Sequence, residues 1–264
     1  MSHSSTAEGI EPCLVVVSAP TPKVRVLAFN RPEKRNALSQ HLIQQFLDEL
    51  LKASSEPEVR VIVVTGNETA FSAGADIKEI ARMDGEGARR CRYLENLCHG
   101  MRSIKVPVIA AVEGMALGGG FEVALMCDMI FSSATAKFGF PEVNIGLIPG
   151  AGGTQRLTNA VGKFRAMKMI LLGDHIRGDE ASAFGLVASL SEPGTVLSHA
   201  IEVAARLSEQ SSSAIALAKE TISRADDLGR DDEFERSMYY FAFGTKDKVE
   251  GVSAFLEKRP PQWQ

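Results

Sequence analysis

Short apolar segments alternate with amphipathic ones along the first three quarters of the chain. The apolar segments are rich in β-branched residues and are bounded by glycine, proline or polar residues, a pattern typical of strands. They predict strands at residues 14–17, 24–29, 59–65, 106–112, 129–132 and 186–190. Apolar residues at helical spacing predict helices at residues 88–104, 120–127, 154–160, 164–172 and 178–184, and one more that Ser39 caps.

The pattern changes after Pro193, because only helical spacing remains beyond it. It predicts helices at residues 201–208, 214–225, 231–241 and 246–258. We therefore expect an α/β region over residues 1–195 and a helical region over residues 196–264. The late helices could pack on the α/β region or form contacts between subunits, and the sequence alone leaves both alternatives open.

Charge and composition exclude several classes of protein. The 264 residues include 29 Lys and Arg against 33 Asp and Glu, a formal net charge of −4, which disfavours a nucleic-acid partner. No run of apolar residues is long enough to predict a membrane span. The four cysteines lack the spacing of a zinc site or a disulfide framework, so we expect no metal.

The N-terminal segment resembles neither a signal peptide nor a transit peptide. A cytoplasmic location is therefore the default expectation. A processed mitochondrial enzyme would have the same appearance, so the sequence does not decide between the two locations.

Glycine is unevenly distributed, since nine of the 23 glycines lie between residues 114 and 153. Three segments with candidate functional residues lie in this range or before it: AFSAGADIKE at 70–79, ALGGGFE at 116–122 and GLIPGAGGTQRL at 146–157. In the first two, small residues lie where a helix is expected to begin. Backbone N–H groups at a helix start have no intrahelical partner, so two of them aimed at one point would form an oxyanion hole.

Two carboxylates lie in apolar surroundings next to these segments. Glu122 follows Gly119 by three residues at the start of a predicted helix, and Glu142 lies between Pro141 and Val143. Carboxylates in such surroundings are suited to acid and base chemistry on a bound water. The alternatives are simpler: the glycines could serve turns, Glu122 could be a helix N-terminal charge, and Glu142 could be a surface acid.

The three segments resemble the crotonase (enoyl-CoA hydratase/isomerase) superfamily, and the likeness extends from NRPEKRNAL at 30–38 to FLEKR at 255–259. Because both glutamates are present, the chain is most similar to the enoyl-CoA hydratases. The resemblance implies an α/β fold: a spiral of ββα units over residues 1–195, followed by a helical trimerisation region over residues 196–264. It also implies a homohexamer built as a dimer of trimers.

The resemblance also implies roles for individual residues. The amides of Ala75 and Gly119 would be the oxyanion donors, and Glu122 and Glu142 the catalytic acids and bases. The acyl-CoA substrate would be bound by Ala73, Ala75, Asp76, Ile77, Lys78, Gly119 and Lys34, and by Phe255 and Lys258 of a neighbouring subunit. No cofactor is implied, because CoA is part of the substrate.

Two other functions stay open at this point. One is a different enzyme of the same superfamily, such as an enoyl-CoA isomerase or a hydratase for branched or secondary-metabolic acyl-CoA. The other is an RNA-binding or scaffold protein that keeps the fold. The second would need a strongly basic helix, whereas the arginines at positions 82–92 are interspersed with Asp84 and Glu86.

Overall fold

Strands in the middle of the chain alternate between two sheets. The computed structural model describes residues 12–227 and 232–262. Within these ranges the strands are β1 (Val15–Thr21), β2 (Val24–Phe29), β3 (Val61–Thr65), β4 (Ala70–Ser72), β5 (Val108–Val112), β6 (Met115–Leu117), β7 (Met129–Ser133), β8 (Lys137–Gly139), β9 (His175–Arg177) and β10 (Ser189–Ser191). The N-terminal segment, for which no leader peptide is predicted, lies mostly outside the described residues, as does Asp231 at the start of one predicted helix.

Helices connect and cover these strands. In the described ranges they are α1 (Gln40–Ser55), α2 (Ile77–Ala81), α3 (Gly85–Arg90), α4 (Glu95–Ser103), α5 (Gly119–Met126), α6 (Gly153–Val161), α7 (Lys163–Leu172), α8 (Gly178–Ala183), α9 (Val196–Ser208), α10 (Ser212–Asp227), α11 (Asp232–Phe243) and α12 (Lys246–Glu257). Short 3-10 turns lie at Pro32–Lys34 and Glu142–Ile145. None of the helices described here is both long and apolar enough to cross a membrane.

The larger sheet has the strand order β1-β2-β3-β5-β7-β10, and the smaller sheet has the order β4-β6-β8-β9. Neighbouring strands are parallel except at the edges, where β1 pairs antiparallel with β2 and β9 pairs antiparallel with β8. Each of the units β3-β4, β5-β6 and β7-β8 therefore adds one strand to each sheet before the chain enters a helix. The predicted α/β spiral of ββα units is confirmed.

Burial of the central strands explains their sequences. All five residues of β3 and of β5 are buried, as expected for parallel strands that are covered on both faces. On one face, Val61, Val63 and Ile109 pack against Ala200 and Ala204 of α9. The small side chains on α9 let the helix lie close to the sheet. On the other face, Ile62 and Val64 belong to the main core together with α1.

The single helix predicted at residues 88–104 is wrong. The chain forms α3 and α4, and between them Arg92 and Leu94 have φ values of 50° and 66°. Side chains in this left-handed region interrupt a helix because their Cβ atoms crowd the backbone. The sequence pattern over these residues is helix-like but irregular, and periodicity alone did not locate the break.

Several predicted boundaries also differ from the structure. The strand predicted at residues 186–190 lies at Ser189–Ser191, and the helix predicted from residue 201 begins at Val196. The sequence did not predict β4, β6, β8 or β9, each of which has only three residues. Ser39 does cap α1, since its hydroxyl accepts a hydrogen bond from the Leu42 amide at 3.2 Å.

Candidate active site

Three neighbouring strands of the smaller sheet end at one place. The strands β4, β6 and β8 are adjacent and parallel, so their carboxyl ends lie along the same edge. Ala75 follows β4, Gly119 follows β6 and Glu142 follows β8, each within three residues of the end of the strand. Successive turns of the spiral thus bring these three sequence-predicted residues together.

The amide groups of Ala75 and Gly119 are close neighbours. A Cβ built on Gly119 would lie 3.7 Å from the Ala75 nitrogen and 4.0 Å from Glu122 Oε2. Within the described residues, neither amide donates a hydrogen bond to the protein. Ala75 is held from both sides, because Leu38 donates to the Gly74 carbonyl at 2.8 Å and accepts from the Asp76 amide at 3.1 Å. Two fixed, unused donors that converge in this way can stabilise a negatively charged oxygen.

Gly118, just before α5, must be glycine for two reasons. Its φ of 50° belongs to the left-handed region, where other residues are strained. A Cβ at this position would also lie 2.7 Å from Glu142 Oε1, well inside van der Waals contact. The glycine therefore allows the carboxylate of one turn of the spiral to lie directly against the backbone of the preceding turn.

Glu122 is held by the backbone at the start of α6. Its side chain is 1% exposed, and its Oε1 accepts hydrogen bonds from the amides of Ala151 at 2.7 Å and Gly153 at 2.8 Å. Burial, followed by the negative charge of Glu235, raises the pKa of Glu122 above its ordinary value. The amide hydrogen bonds and Arg156 oppose this rise without cancelling it. Oε1 is thus occupied, and Oε2 lies 4.0 Å from the position of a Cβ built on Gly119.

Glu142 opens the 3-10 turn after β8, and its Oε2 is a buried atom without a hydrogen-bond partner in the described structure. Burial, followed by the charge of Glu122, raises the pKa of Glu142 well above its ordinary value. A protonated carboxyl in this position is a hydrogen-bond donor with nothing to donate to in the protein. The interpretation of Glu142 as a surface acid is therefore wrong, because its carboxyl oxygen faces the interior.

The segments that the resemblance assigns to CoA lie side by side. Ala73 donates its amide to the carbonyl of Arg35 at 2.9 Å, which joins the segment before α2 to the loop that carries Lys34. Lys34 and Lys78 are both exposed. Ile77 begins α2 and is partly buried against the main core.

Asp76 uses its side chain for structure. One carboxylate oxygen caps α2 by accepting from the Lys78 amide at 3.0 Å, and the other lies 2.7 Å from Nη1 of Arg31. These hydrogen bonds lower the pKa of Asp76, although its partial burial opposes them as the largest single effect. The predicted contact of Asp76 with the substrate stays a prediction.

Phe255 and Lys258 lie at the end of α12, where both are exposed and Phe255 retains 58% of its accessible surface. No contact within the described part of the chain connects them with the paired amides or the buried glutamates. Their predicted role in CoA binding from a neighbouring subunit stays a prediction.

Two buried residues near the site were missed from the sequence. Glu235 on α11 is 3% exposed and contacts the start of α6, and Tyr239 is 3% exposed and packs where a side chain on Gly150 would lie. A signal was present, because Glu235, Tyr239 and Phe243 are spaced four residues apart and share one helix face. Within the described ranges, no group of three metal-ligating side chains occurs.

The chain is similar to known proteins over nearly its whole length. A model of the enoyl-CoA hydratase/isomerase family matches residues 21–264. The mitochondrial enoyl-CoA hydratase of Pongo abelii is 42% identical over 238 residues, which cover 89% of this chain and 82% of that one.

Solved structures agree with this family. The enoyl-CoA hydratase subunit I of Geobacillus kaustophilus is 40% identical with a TM-score of 0.79, covering 95% of this chain and 98% of that one. A methylmalonyl-CoA decarboxylase is 30% identical with a TM-score of 0.84, at the same coverage of 95% and 98%. The fold and its neighbours define an enzyme with the crotonase fold. More narrowly, the chain belongs to the enoyl-CoA hydratase/isomerase family.

Proposed function

We propose that the chain is an enoyl-CoA hydratase, which adds water across the 2,3 double bond of trans-2-enoyl-CoA thioesters to give 3-hydroxyacyl-CoA. The observation that carries this proposal is the convergence of two free amides with two carboxyl groups at the ends of adjacent strands. The names of several relatives at about 40% identity support it. The similarity to a decarboxylase shows that the fold alone does not determine the reaction.

The paired amides would bind the thioester oxygen. As the double bond is attacked, electrons move onto this oxygen and form an enolate, and the N–H groups of Ala75 and Gly119 stabilise that charge. Losing one such donor typically reduces the rate by about 10²–10³-fold. Both donors belong to rigid backbone, so little reorganisation is needed when the charge develops.

The two glutamates would move the protons. Ionised Glu122 takes a proton from the water whose oxygen bonds to Cβ, and protonated Glu142 gives a proton to Cα as the enolate collapses. The hydroxyl group of the water thus ends on Cβ, and a hydrogen ends on Cα. The proton that Glu122 has taken then passes to Glu142, which restores the site. Each proton transfer of this kind contributes about 10²–10⁴-fold.

Binding of CoA is assigned to the two adjoining segments, Ala73–Lys78 and the loop with Lys34. The exposed lysines would meet the negatively charged phosphates of CoA, while the backbone before α2 meets the pantetheine. Phe255 and Lys258 would join from a neighbouring subunit. No cofactor takes part in this scheme.

The assembly is part of the same proposal. Residues 1–195 would form the catalytic domain and residues 196–264 the helical oligomerisation domain, and six chains would assemble as a dimer of trimers. The exposed apolar side chains on the late helices, such as Leu217, Ile222 and Phe241, support this assignment.

The test is the loss of conjugated enoyl-thioester absorbance when purified protein is added to short, medium and long trans-2-enoyl-CoA. We expect Glu122→Gln and Glu142→Gln each to reduce turnover strongly while binding of a saturated acyl-CoA persists. The exposed Glu233→Gln is the matched control, and its turnover should equal that of the unmodified protein.

Three results would contradict the proposal. Near-normal turnover in Glu122→Gln or Glu142→Gln would show that the two carboxyl groups do not both take part in proton transfer. Turnover confined to 3-enoyl-CoA, with formation of conjugated absorbance, would identify an isomerase, and release of CO₂ from a malonyl-type thioester would identify a decarboxylase.

A further inference from the structure

Four consecutive amides at the start of α6 are divided between two carboxylates. Ala151 and Gly153 donate to Oε1 of Glu122 at 2.7 and 2.8 Å. Gly152 and Thr154, the residues between and after them, donate to Oε1 and Oε2 of Glu235 at 2.5 and 2.7 Å. The Thr154 hydroxyl donates to the same Oε2. The amides of Gly152, Gly153 and Thr154, which have no intrahelical partner, and that of Ala151 just before the helix thus each meet a glutamate.

The geometry explains why the amides alternate. Gly152 has a φ of 90°, which turns the chain so that successive N–H groups point to opposite sides. Its missing side chain also makes room for Arg156, since a Cβ there would lie 1.6 Å from Nη1. Arg156 in turn donates to the Ala151 carbonyl at 2.9 Å. The loop is therefore fixed on the side of α11 by Glu235 and on the side of the site by Glu122.

From this arrangement, and resting on the hydratase function proposed above, we propose that Glu235 is a positioning residue: it fixes the α6 amides on Glu122 and, through its buried charge, sets the pH range in which the glutamates exchange protons. Glu235 itself does not touch the substrate. Its effect reaches the reaction through Glu122, whose free Oε2 it keeps directed at the paired amides.

The charged groups around Glu122 determine the direction in which Glu235 shifts its pKa. Glu235 from α11 is the negative group and Arg156 from α6 is the positive one, and Glu142 from the 3-10 turn is a second buried carboxyl that interacts with Glu122. Burial, and to a smaller extent Asp232, raises the pKa of Glu235 itself, whereas the hydrogen bonds from Thr154 and Gly152 favour its charged form. Tyr239 and Cys98 are buried, titratable neighbours of Glu122. Removing the charge of Glu235 lowers the pKa of both Glu122 and Glu142, because the ionised form of each then meets less repulsion.

The kinetic test compares Glu235→Gln with Glu235→Asp in the full-length protein. We expect Glu235→Gln to shift the acidic and the basic limb of the plot of kcat/KM against pH to lower pH. The base Glu122 then ionises at a lower pH, and the acid Glu142 loses its proton at a lower pH. Glu235→Asp keeps the charge, but its shorter side chain does not reach the α6 amides in the same way. Its kcat should therefore fall by about 10–100-fold while both limbs stay at the same pH. Glu233→Gln, on the same helix but exposed, should change neither.

A second measurement separates this inference from the proposed function. The infrared band of the protonated Glu122 carboxyl, identified by its loss in Glu122→Gln, can be titrated without substrate. Its midpoint should fall in Glu235→Gln even if no enoyl-CoA is hydrated. If neither the limbs of the pH profile nor the midpoint of the infrared titration shifts in Glu235→Gln, Glu235 has a purely structural role and the inference is overturned.

A third variant covers the case in which Glu235→Gln does not fold. Thr154→Val removes one hydrogen bond to Glu235 and no charged side chain. It should lower kcat with unchanged affinity for a saturated acyl-CoA. Unchanged kcat in Thr154→Val would equally contradict the positioning role.

Discussion

At Gly119, the absence of a side chain matters for the chemistry and little for the fold. A Cβ there would make only ordinary contacts, with Leu38 Cδ1 at 3.5 Å and the Ala75 nitrogen at 3.7 Å. We therefore expect Gly119→Ala to fold with nearly unchanged thermal stability but to lose about 10²-fold or more in turnover, because its methyl group occupies the place of the substrate oxygen.

Stability and turnover measured on the same sample check this prediction. The exposed Gly244 provides the control, since a Cβ there meets its nearest neighbour, the Phe241 carbonyl, at 3.4 Å. Gly244→Ala should retain full turnover. An active Gly119→Ala enzyme would show that the paired amides do not hold the thioester oxygen.

Glu142 should make stability depend on pH in a defined direction. Its pKa in the folded protein is raised above the ordinary value, so the folded state binds a proton that the unfolded state has lost. The folded state is therefore penalised as pH rises from the ordinary value through the raised one, and the penalty is absent below both. Glu142→Gln removes it, and so the variant should melt at a higher temperature than the unmodified protein at pH 8.

The difference in melting temperature should shrink at pH 5, where Glu142 is largely protonated in the folded protein. In a chain of this size, about 2–4 °C corresponds to 1 kcal/mol. Thermal unfolding of both proteins at the two pH values measures it. A difference that is equal at pH 5 and pH 8 would mean that Glu142 is not the titrating group.

Among the structural elements, the loop at residues 31–38 depends on one buried asparagine. Asn36 is fully buried with a φ of 56°, and its side-chain amide donates to the carbonyls of Ala70 and Phe71 at 2.9 and 3.2 Å. Its Oδ1 accepts from the Arg31 amide at 2.9 Å. These bonds hold the loop against β4, immediately before the oxyanion segment.

We expect Asn36→Ala to destabilise the protein by about 2–4 kcal/mol, because buried carbonyls lose their donor and alanine disfavours the left-handed region. It should also weaken binding of acyl-CoA, since the Lys34 loop loses its anchor. Urea unfolding and a binding titration measure the two effects. Unchanged stability would show that water replaces the lost donors.

The long apolar strands and the amphipathic helices could be predicted because their periodicity extends over enough residues. The three-residue strands could not, since β6 and β8 carry no alternation that distinguishes them from loops. They form because the preceding long strand places them beside a neighbour in the smaller sheet. The backbone amides of Ala75 and Gly119 were assigned only through the family resemblance, because no periodicity reports where an N–H group points.

On the scale of the whole molecule, α7 presents an apolar stripe to solvent. Phe164, Met167 and Leu171 follow helical spacing and retain 87%, 47% and 64% of their accessible surface in the single chain. Such a stripe favours burial against another subunit. We expect sedimentation to show a hexamer, and Leu171→Glu to shift it towards smaller species with an unchanged circular dichroism spectrum.

Leu51→Glu is the matched control, because Leu51 on α1 is 47% exposed and lies outside this stripe. It should leave the assembly intact. If Leu171→Glu sediments like the unmodified protein, α7 is not part of an interface.

The helical region was predicted as a unit of its own from its helical spacing, and the sequence could not show how far it reaches into the α/β region. Glu235 lies within residues 196–264, yet its hydrogen bonds end on the loop that holds Glu122. This contact joins residues 81 to 83 positions apart in sequence. A single sequence contains no record of such a pairing.

The placement of Ala75, Gly119 and Glu142 after successive strands has an evolutionary consequence. At Ala75 and Gly119 the first two turns contribute backbone N–H groups, which every residue except proline retains, provided that the side chain stays small, whereas at Glu142 the third contributes a side chain that a single codon can replace. Anion stabilisation is thus inherited with the scaffold, while the accompanying chemistry is open to change. A gene library restricted to the codons that follow β8 would explore new reactions on an unaltered scaffold.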